Sequence, residues 1–253
     1  GFDDSAWGGV MYRGAPSQRV TAQQTVPIRN VTQYRPRSVR KLDERSYLYD
    51  FGQNMAGVTK LRLRGEAGTQ LRLIHAERLR EDGHADLSNI DVYFRPTDKD
   101  DLFQTDVVTL SGRDDEFMPR FNYKGFRYVE VVADRPVELS AENLTAYAMH
   151  SDVTPVGHIE TSNDLVDKLW DATNKAYLSN LMGYPTDCPQ REKNGWTADA
   201  ALSSEHILLN LGAEKSYREW LRAIVKAQDN NGALPGIVPT SGWGFAWGNG
   251  PAW

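Results

Sequence analysis

The stretch TSNDLVDKLWDATNKAYLSNL, residues 161–181, is where the sequence stops predicting strands and starts predicting helices. The apolar residues at the three-to-four spacing of one helix face are Leu165, Val166, Leu169, Trp170, Ala176, Tyr177 and Leu181. Thr161 followed by Asp164 fits a capping box, which places the start of the helix near residue 161. We therefore expect a helix of about five turns here.

Before this stretch, the sequence has strand signals. The segments VTKLRLRG (58–65) and TQLRLIHAE (69–77) alternate apolar and polar residues, and Gly65 and Gly68 separate them, which predicts a β-hairpin. Further short strands are expected in TDVVTLSG, FRYVEVVA and NLTAYAMH, with turn residues between them. Many short antiparallel strands favour a β-sandwich over a parallel sheet.

After it, two more amphipathic runs predict helices at about 197–211 and 213–228, with Gly212 as the stop between them. The predicted fold class is a multidomain α and β chain in which an antiparallel β-sandwich precedes a helical domain. We place the β-sandwich domain at residues 1–152, of which the first 25 or so could be the tail of a preceding β domain, and the helical domain at residues 153–253.

Composition excludes several classes of function. The 253 residues carry a net charge of −5, which argues against nucleic acid as a partner, since a basic face is the usual footprint of such proteins. No apolar run of 18 residues predicts membrane insertion. The single cysteine, Cys188, excludes an intramolecular disulfide and a multi-cysteine metal site, and it leaves the cellular compartment open.

No cofactor or metal is predicted. The sequence contains no glycine-rich dinucleotide fingerprint and no phosphate-binding loop. The segment HAERLREDGHAD, residues 75–86, contains two histidines and several carboxylates, but their spacing matches no zinc or calcium template. We interpret it as a polar excursion between strands.

The segment YPTDCPQREKNGW, residues 184–196, is the strongest candidate for a site. Its two prolines restrict the backbone, so we expect a stiff loop leading into the helix near Thr197. Asp187, Glu192 and Asp199 would lie within this loop and one helical turn, and clustered carboxylates raise at least one pKa, as general acid catalysis near neutral pH requires. Composition alone favours the alternative that Arg191 forms a structural ion pair with Asp187 or Glu192.

Two other residue types in this region have open interpretations. Cys188 has no nearby histidine and is flanked by a proline, so a small buried side chain is favoured over a nucleophile. Trp243, Trp247 and Trp253 lie in a glycine-rich loop, where aromatic side chains either stack on sugar rings or fill the core of the helical domain.

The segment DCPQREKNGWTADA, residues 187–200, closely resembles the signature of the bacterial α-L-rhamnosidase family of glycoside hydrolases. Three flanking segments resemble the same family. YLYDFGQNMAGVTKLRLRGEAGTQLRLIHAERL and FNYKGFRYVEV are similar to its β-sandwich domain, and WGNGPAW is similar to a loop of its catalytic barrel. The resemblance implies β-sandwich domains before an (α/α)6 barrel, of which this chain contains only the first helices.

The activity that the resemblance implies is removal of terminal α-L-rhamnose with inversion, in which a carboxylic acid protonates the glycosidic oxygen and a second carboxylate activates water. By position in the motif, Glu192 matches the general acid. Many members have one more residue between the arginine and the glycine, so this match requires a shorter variant of the motif. The general base is expected far downstream, beyond Trp253, in a longer enzyme, so this chain alone is expected to be inactive.

The remaining predicted site residues bind substrate. Asp187 and Asp199 match groups that hold rhamnose hydroxyls, Arg191 and Trp196 match groups that line the same pocket, and Trp247 is assigned to substrate binding with them. The expected partner is a rhamnose-containing glycoside or polysaccharide, and family analogy favours a periplasmic or secreted location. The alternatives are another (α/α)6 glycosidase, acting for example on glucose or L-fucose, and a non-catalytic carbohydrate-binding or scaffold protein.

Overall fold

The computed structural model describes residues 3–15, 19–91, 102–239 and 244–245. In chain order, the strands in these ranges are β1 (Ile28–Tyr34), β2 (Ser38–Lys41), β3 (Ser46–Arg64), β4 (Gln70–Ala76), β5 (Arg78–Leu79), β6 (Ala85–Asp86), β7 (Thr105–Thr109), β8 (Asp114–Phe117), β9 (Lys124–Ala133) and β10 (Leu144–Ser151). The helices are α1 (Ser88–Asp91), α2 (Asp164–Leu178), α3 (Thr197–Asn210) and α4 (Glu214–Ala227).

Eight of the strands form one antiparallel sheet in the order β1-β10-β3-β9-β4-β7, with β2 and β8 also paired to β3. Strand β3 changes partners along its length: residues 46–50 and 55–57 pair with β9, residues 57–61 pair with β10, and residues 61–64 pair with β8. The register shifts after Asp50, where Gly52 adopts φ +73° and donates its N–H to the Asp50 carboxylate at 2.6 Å. A register shift of this kind increases the local twist of a strand.

The core of the β domain is built from the alternating apolar residues of the central strands. One cluster contains Tyr49 and Leu61 of β3, Leu73 of β4, Val131 of β9 and Leu144 of β10, all almost fully buried. Because alternate residues of a strand face opposite sides, the period-two pattern places these side chains on the inner face. The predicted antiparallel β fold followed by helices is confirmed.

The predicted hairpin between residues 58–65 and 69–77 is wrong. Strand β9 lies between β3 and β4 and pairs with both. The glycine-rich link packs instead on Leu110, just after β7, because Gly68 donates to the Leu110 carbonyl and the Leu110 N–H donates to the Thr69 carbonyl. These two bonds direct β4 to pair with β7.

His75, one of the two histidines of the segment 75–86, is a core residue of the sheet. This side chain is fully buried in β4, with Nε2 at 3.0 Å from the Thr59 hydroxyl and Nδ1 at 3.0 Å from the Leu73 carbonyl. Burial lowers its pKa to about 3, so the ring is neutral in the core. The rest of the segment forms the small β5–β6 hairpin.

The helix predicted from residue 161 is present, but its cap is not the predicted one. Asn163 is the N-cap, and its side chain accepts the Leu165 N–H at 3.0 Å. Thr161 lies two residues earlier and donates its hydroxyl to Asp167 at 2.9 Å. An asparagine at the position next to the helix competes better for the first free N–H groups than a threonine farther away.

The helices pack on one another through aromatic residues. Tyr177 of α2 and Tyr217 of α4 are buried with their hydroxyl oxygens 2.8 Å apart. In contrast, Leu165 and Leu169 near the start of α2 are 63% and 59% exposed. The bounds of α3 and α4 agree with the prediction, and Gly212 lies between them. No helix in the described ranges has the length and apolar character needed to cross a membrane.

Gly57 gives a test of the sheet. An alanine Cβ at this position would lie 1.9 Å from the Tyr147 carbonyl oxygen of β10. We expect Gly57→Ala to lower the free energy of unfolding by about 1–3 kcal/mol or more, because backbone must move to relieve the overlap. Urea denaturation followed by circular dichroism measures the change. Gly9→Ala is the control, since its Cβ meets no atom within 4 Å, and equal stability of the two variants would contradict the described pairing of β3 with β10.

Candidate active site

The motif loop, residues 179–196, connects α2 to α3 and is anchored at its start to the end of the sheet. The Leu181 carbonyl accepts the Ser151 N–H at 2.8 Å, and the Ser151 hydroxyl accepts the Gly183 N–H at 2.8 Å. Leu181 is fully buried. The loop therefore begins at a fixed point between the two domains.

Two hydrogen bonds between Asp187 and Asn194 close the loop. The Asp187 N–H donates to the Asn194 carbonyl at 3.0 Å, and the Asn194 N–H donates to the Asp187 carboxylate at 2.9 Å. Between them, Lys193 adopts φ +54°. The six intervening residues thus form a compact loop, as the prolines predicted.

Cys188 lies inside this loop and links its two sides. Its thiol is buried, donates to Oδ2 of Asp187 at 3.1 Å and accepts the Glu192 N–H at 3.3 Å. Burial raises the pKa of the thiol, which disfavours the thiolate that nucleophilic attack requires. The predicted small buried side chain is confirmed, and it has a hydrogen-bonding role that the sequence did not indicate.

Glu192 is half-buried and is held by Trp196. The indole Nε1–H donates to Oε2 of Glu192 at 2.7 Å. Trp196 is itself fixed, because its backbone bridges to Ile237 and Gly195 packs against the Val238 carbonyl, where a Cβ would lie only 2.0 Å from the oxygen. Gly195 is therefore required for the close approach of these two segments.

The carboxyl groups of Asp187 and Glu192 interact. Burial raises the pKa of Asp187 above its ordinary value, and the charge and hydrogen bond of Glu192 add to this shift, whereas the Cys188 and Asn194 hydrogen bonds oppose it. The raised pKa is that of Asp187, with burial as its largest cause, and the neighbouring carboxyl group adds a smaller contribution in the predicted direction. The pair retains a proton to higher pH than an isolated aspartate would.

Asp199 shares a cavity with Asp187. It is exposed in the first turn of α3 and lines, with Asp187, a cavity of about 420 Å³ between α2 and α3. Ser203 and His206 also line this cavity. Its volume lies in the range of sites that hold small molecules.

A second cavity of about 520 Å³ lies where the motif loop meets the β domain. Asn54 and Glu77 line it from the sheet, and Asp187 and Gln190 line it from the loop. The Glu77 carboxylate accepts the side-chain amides of Asn54 at 2.8 Å and Gln190 at 3.1 Å. Asp187 consequently faces both cavities.

Arg191 and Trp247 are the remaining residues that the sequence assigned to the site. Arg191 is half-buried in the motif loop beside Glu192. Trp247 and the other two tryptophans of the glycine-rich loop, Trp243 and Trp253, lie outside the described residues. The assignment of Asp187, Arg191, Trp196, Asp199 and Trp247 to substrate binding stays a prediction.

Asp187, Cys188 and Glu192 each place one potential metal-ligating atom within 4.8 Å of the others. These groups already bond to one another in the loop, and the raised pKa values of Asp187 and Cys188 favour their protonated forms. A cation needs deprotonated ligands, so this arrangement suits proton sharing better than metal binding.

The sequence analysis missed the residues that join the loop to the β domain. Lys193 contacts Asn122 and Tyr123, and Pro189 and Gln190 pack on Gly125. The local sequence Lys193-Asn194-Gly195 does not favour a positive φ at the lysine. The contacts that hold it join residues about 70 positions apart in sequence. No local pattern could have shown them.

Both domains match known protein families. Residues 40–150 match the family described as the bacterial α-L-rhamnosidase concanavalin-like domain, and residues 154–253 match the bacterial α-L-rhamnosidase 6 hairpin glycosidase domain. An α-L-rhamnosidase of Streptomyces avermitilis is 33% identical over 259 residues, which cover 97% of this chain and 24% of the relative. The chain therefore spans about a quarter of the length of this curated relative.

Solved structures agree with these matches. The α-L-rhamnosidase of Dictyoglumus thermophilum superposes with a TM-score of 0.82 and 35% identity, over 94% of this chain and 26% of that one. The Streptomyces avermitilis α-L-rhamnosidase complexed with L-rhamnose gives a TM-score of 0.82 and 32% identity, over 96% and 23% of the two chains. On both its domains and in this order, the chain belongs to the bacterial α-L-rhamnosidase family.

Proposed function

We propose that the protein hydrolyses terminal α-L-rhamnose from a glycoside or polysaccharide with inversion, and that Glu192 is the general acid. The observation that carries this proposal is the hydrogen bond from Trp196 to one oxygen of a half-buried Glu192, beside a second carboxyl group. The complex of the Streptomyces avermitilis relative with L-rhamnose supports the choice of sugar.

The Trp196 hydrogen bond selects which oxygen of Glu192 donates. An indole N–H can only donate, so it occupies Oε2 as an acceptor. A protonated Glu192 then carries its proton on Oε1, which can be directed at a glycosidic oxygen. Trp196 thus fixes both the orientation of the carboxyl group and the site of its proton.

Asp187 is too close to Glu192 to be the general base of an inverting mechanism. Inverting enzymes separate the two carboxyl groups by about 6.5–9.5 Å, so that a water molecule fits on the far face of the sugar. Oxygen atoms of Asp187 and Glu192 lie within 4.8 Å. Asp187 is better suited to bind a sugar hydroxyl, because a carboxyl group facing a cavity accepts or donates hydrogen bonds there.

Glu192→Gln tests the acid directly. In the full-length protein, we expect kcat on a rhamnosyl disaccharide to fall about 10²- to 10⁴-fold, because the alkoxide leaving group needs a proton. The loss should be smaller on nitrophenyl α-L-rhamnoside, whose leaving group is stable as an anion. Exposed Glu160→Gln is the control. Near-normal turnover of the disaccharide by Glu192→Gln would reject the assignment, and a panel of nitrophenyl glycosides would detect a different sugar specificity.

Trp196→Phe tests the proton-orienting hydrogen bond. The substitution keeps an aromatic ring but removes the N–H, so we expect kcat to fall about 10- to 100-fold, as for the loss of a hydrogen bond to a charged group. Trp170→Phe is the matched control, since its indole N–H donates to Asn210 at 2.8 Å on the helices. Steady-state kinetics that show equal effects of the two variants would contradict the role of Trp196.

The interaction of the two carboxyl groups can be measured by infrared titration. The Asp187 band is identified by its loss in Asp187→Asn. We expect it to titrate above the ordinary aspartate pKa, and to titrate at lower pH in Glu192→Gln, because that substitution removes a neighbouring negative charge. An unchanged midpoint in Glu192→Gln would show that the two groups do not interact.

A further inference from the structure

Lys193 has a backbone conformation that its own sequence does not favour. Among the described residues, Lys193 and Gln104 are the non-glycine residues with positive φ. The left-handed region is unfavourable for a lysine, and the adjacent Asn194 would adopt it more readily. The surroundings must therefore hold Lys193 in this conformation.

The β domain supplies those surroundings. The Lys193 ammonium donates to the Tyr123 carbonyl at 2.6 Å and to the Asn122 side chain at 3.3 Å, and it lies 4.5 Å from the centre of the Tyr123 ring. The Asp106 carboxylate, which favours the charged form of Lys193, pairs with Lys124 rather than with Lys193. The Lys193 ammonium is thus bound by neutral oxygens and an aromatic face.

Tyr123 also contacts the other end of the motif loop. Its phenol interacts with the Thr186 side chain, and burial raises its pKa, with Tyr184, Cys188 and Asp187 close enough to add to the shift. One side chain of the β domain therefore contacts the loop both before Asp187 and after Glu192. A movement of Tyr123 would displace both sides of the loop.

The backbone of β9 also packs directly against the motif loop at Gly125. A Cβ at Gly125 would lie 2.9 Å from Cβ of Gln190 and from Cγ of Pro189, so the absence of a side chain permits this packing. Gln190 additionally donates to Glu77 of the β domain at 3.1 Å. Pro189, Gln190 and Lys193 of the loop therefore all contact the β domain, in addition to the bonds of Leu181 and Gly183 to Ser151.

We propose that Lys193 is a positioning residue for Glu192. In this proposal, the β-domain segment 122–125 helps to hold Glu192 in place through Lys193. Lys193 directly follows Glu192 and precedes Asn194, and both neighbours are bonded within the closed loop. A change of φ at Lys193 would rotate Glu192 relative to Asp187 and Trp196. The inference rests on the proposed function of Glu192 as general acid.

The charge that this contact requires is present at neutral pH. Burial lowers the pKa of Lys193 to about 8, with the nearby Lys124 charge contributing. The protonated form therefore predominates at pH 7. The Lys124 ammonium is itself paired with the Asp106 carboxylate at 2.5 Å.

The test compares side-chain variants of Lys193 in the full-length protein. Lys193→Met removes the charge, Lys193→Gly relieves the backbone but removes the anchor, and Lys193→Arg keeps the charge. We expect kcat on an α-L-rhamnosyl disaccharide to fall about 10- to 100-fold in the Met and Gly variants, with little change in KM, and to be partly restored in the Arg variant.

Lys41→Met is the matched control. Lys41 also lies over a tyrosine ring, that of Tyr47, and pairs with Glu44 and Glu138 at the exposed side of the β domain. We expect its kcat to be unchanged. A kcat for Lys193→Met within twofold of the parent protein, or an equal loss in Lys41→Met, would overturn the proposal.

Combining Tyr123→Leu with Lys193→Met gives a double-mutant cycle, so that the test does not depend on a single variant. If the two residues act as a unit, the double variant loses no more kcat than either single variant, whereas losses that multiply would overturn the proposal. Glu192→Gln in the same assay separates the two inferences. Turnover retained by Glu192→Gln rejects the acid and with it the positioning role, while turnover lost only by Glu192→Gln rejects the positioning role alone.

Discussion

The pair of hydrogen bonds between Asp187 and Asn194 is the constraint on which the candidate site depends. It closes the loop that contains Cys188 and Glu192, and it sets one carboxyl group of the motif beside the other. With the loop closed, the Cys188 thiol can bridge Asp187 to the Glu192 backbone. A looser loop would expose the Asp187 carboxyl group to water, which would bring its raised pKa back toward the ordinary value.

The closed loop depends in turn on both domains. Its start is bonded to Ser151 at the end of β10, and its end is bonded to the segment around Val238 through Gly195. Between these points, Lys193 and Gln190 contact the β domain. The sheet therefore does more than precede the helices, because it contacts the loop that contains the candidate site. Rigid support of this kind keeps a catalytic group within a fraction of an ångström of its working position.

The sequence was sufficient for features that depend on local pattern. The order of strands and helices, the bounds of α3 and α4, and the clustering of Asp187 with Glu192 all follow from periodicity, turn residues and spacing along the chain. The prediction of a hairpin was wrong because two strands that are adjacent in sequence can be separated in the sheet by a third strand from later in the chain, here β9. The prediction of the α2 cap was wrong because Asn163 and Thr161 are both suitable capping residues, and only the backbone geometry determines which of them is the N-cap.

The rest of the site depends on contacts between segments that are distant in sequence, and local sequence patterns do not predict such contacts. The ammonium of Lys193 over Tyr123 joins residues 70 positions apart, and Trp196 reaches the bridge to Ile237 across α3 and α4. Nor does composition show which carboxyl group has the raised pKa, because that depends on the degree of burial.

The crystal structure of full-length Glu192→Gln bound to an uncleaved α-L-rhamnoside would test the central claim most directly. We expect the rhamnose ring to contact Asp187 and its glycosidic oxygen to lie within hydrogen-bonding distance of the substituted side chain at position 192. We also expect the Trp196 indole to remain bonded to the opposite atom of that side chain. Rhamnose bound away from the motif loop, or with its glycosidic oxygen directed away from position 192, would contradict the account.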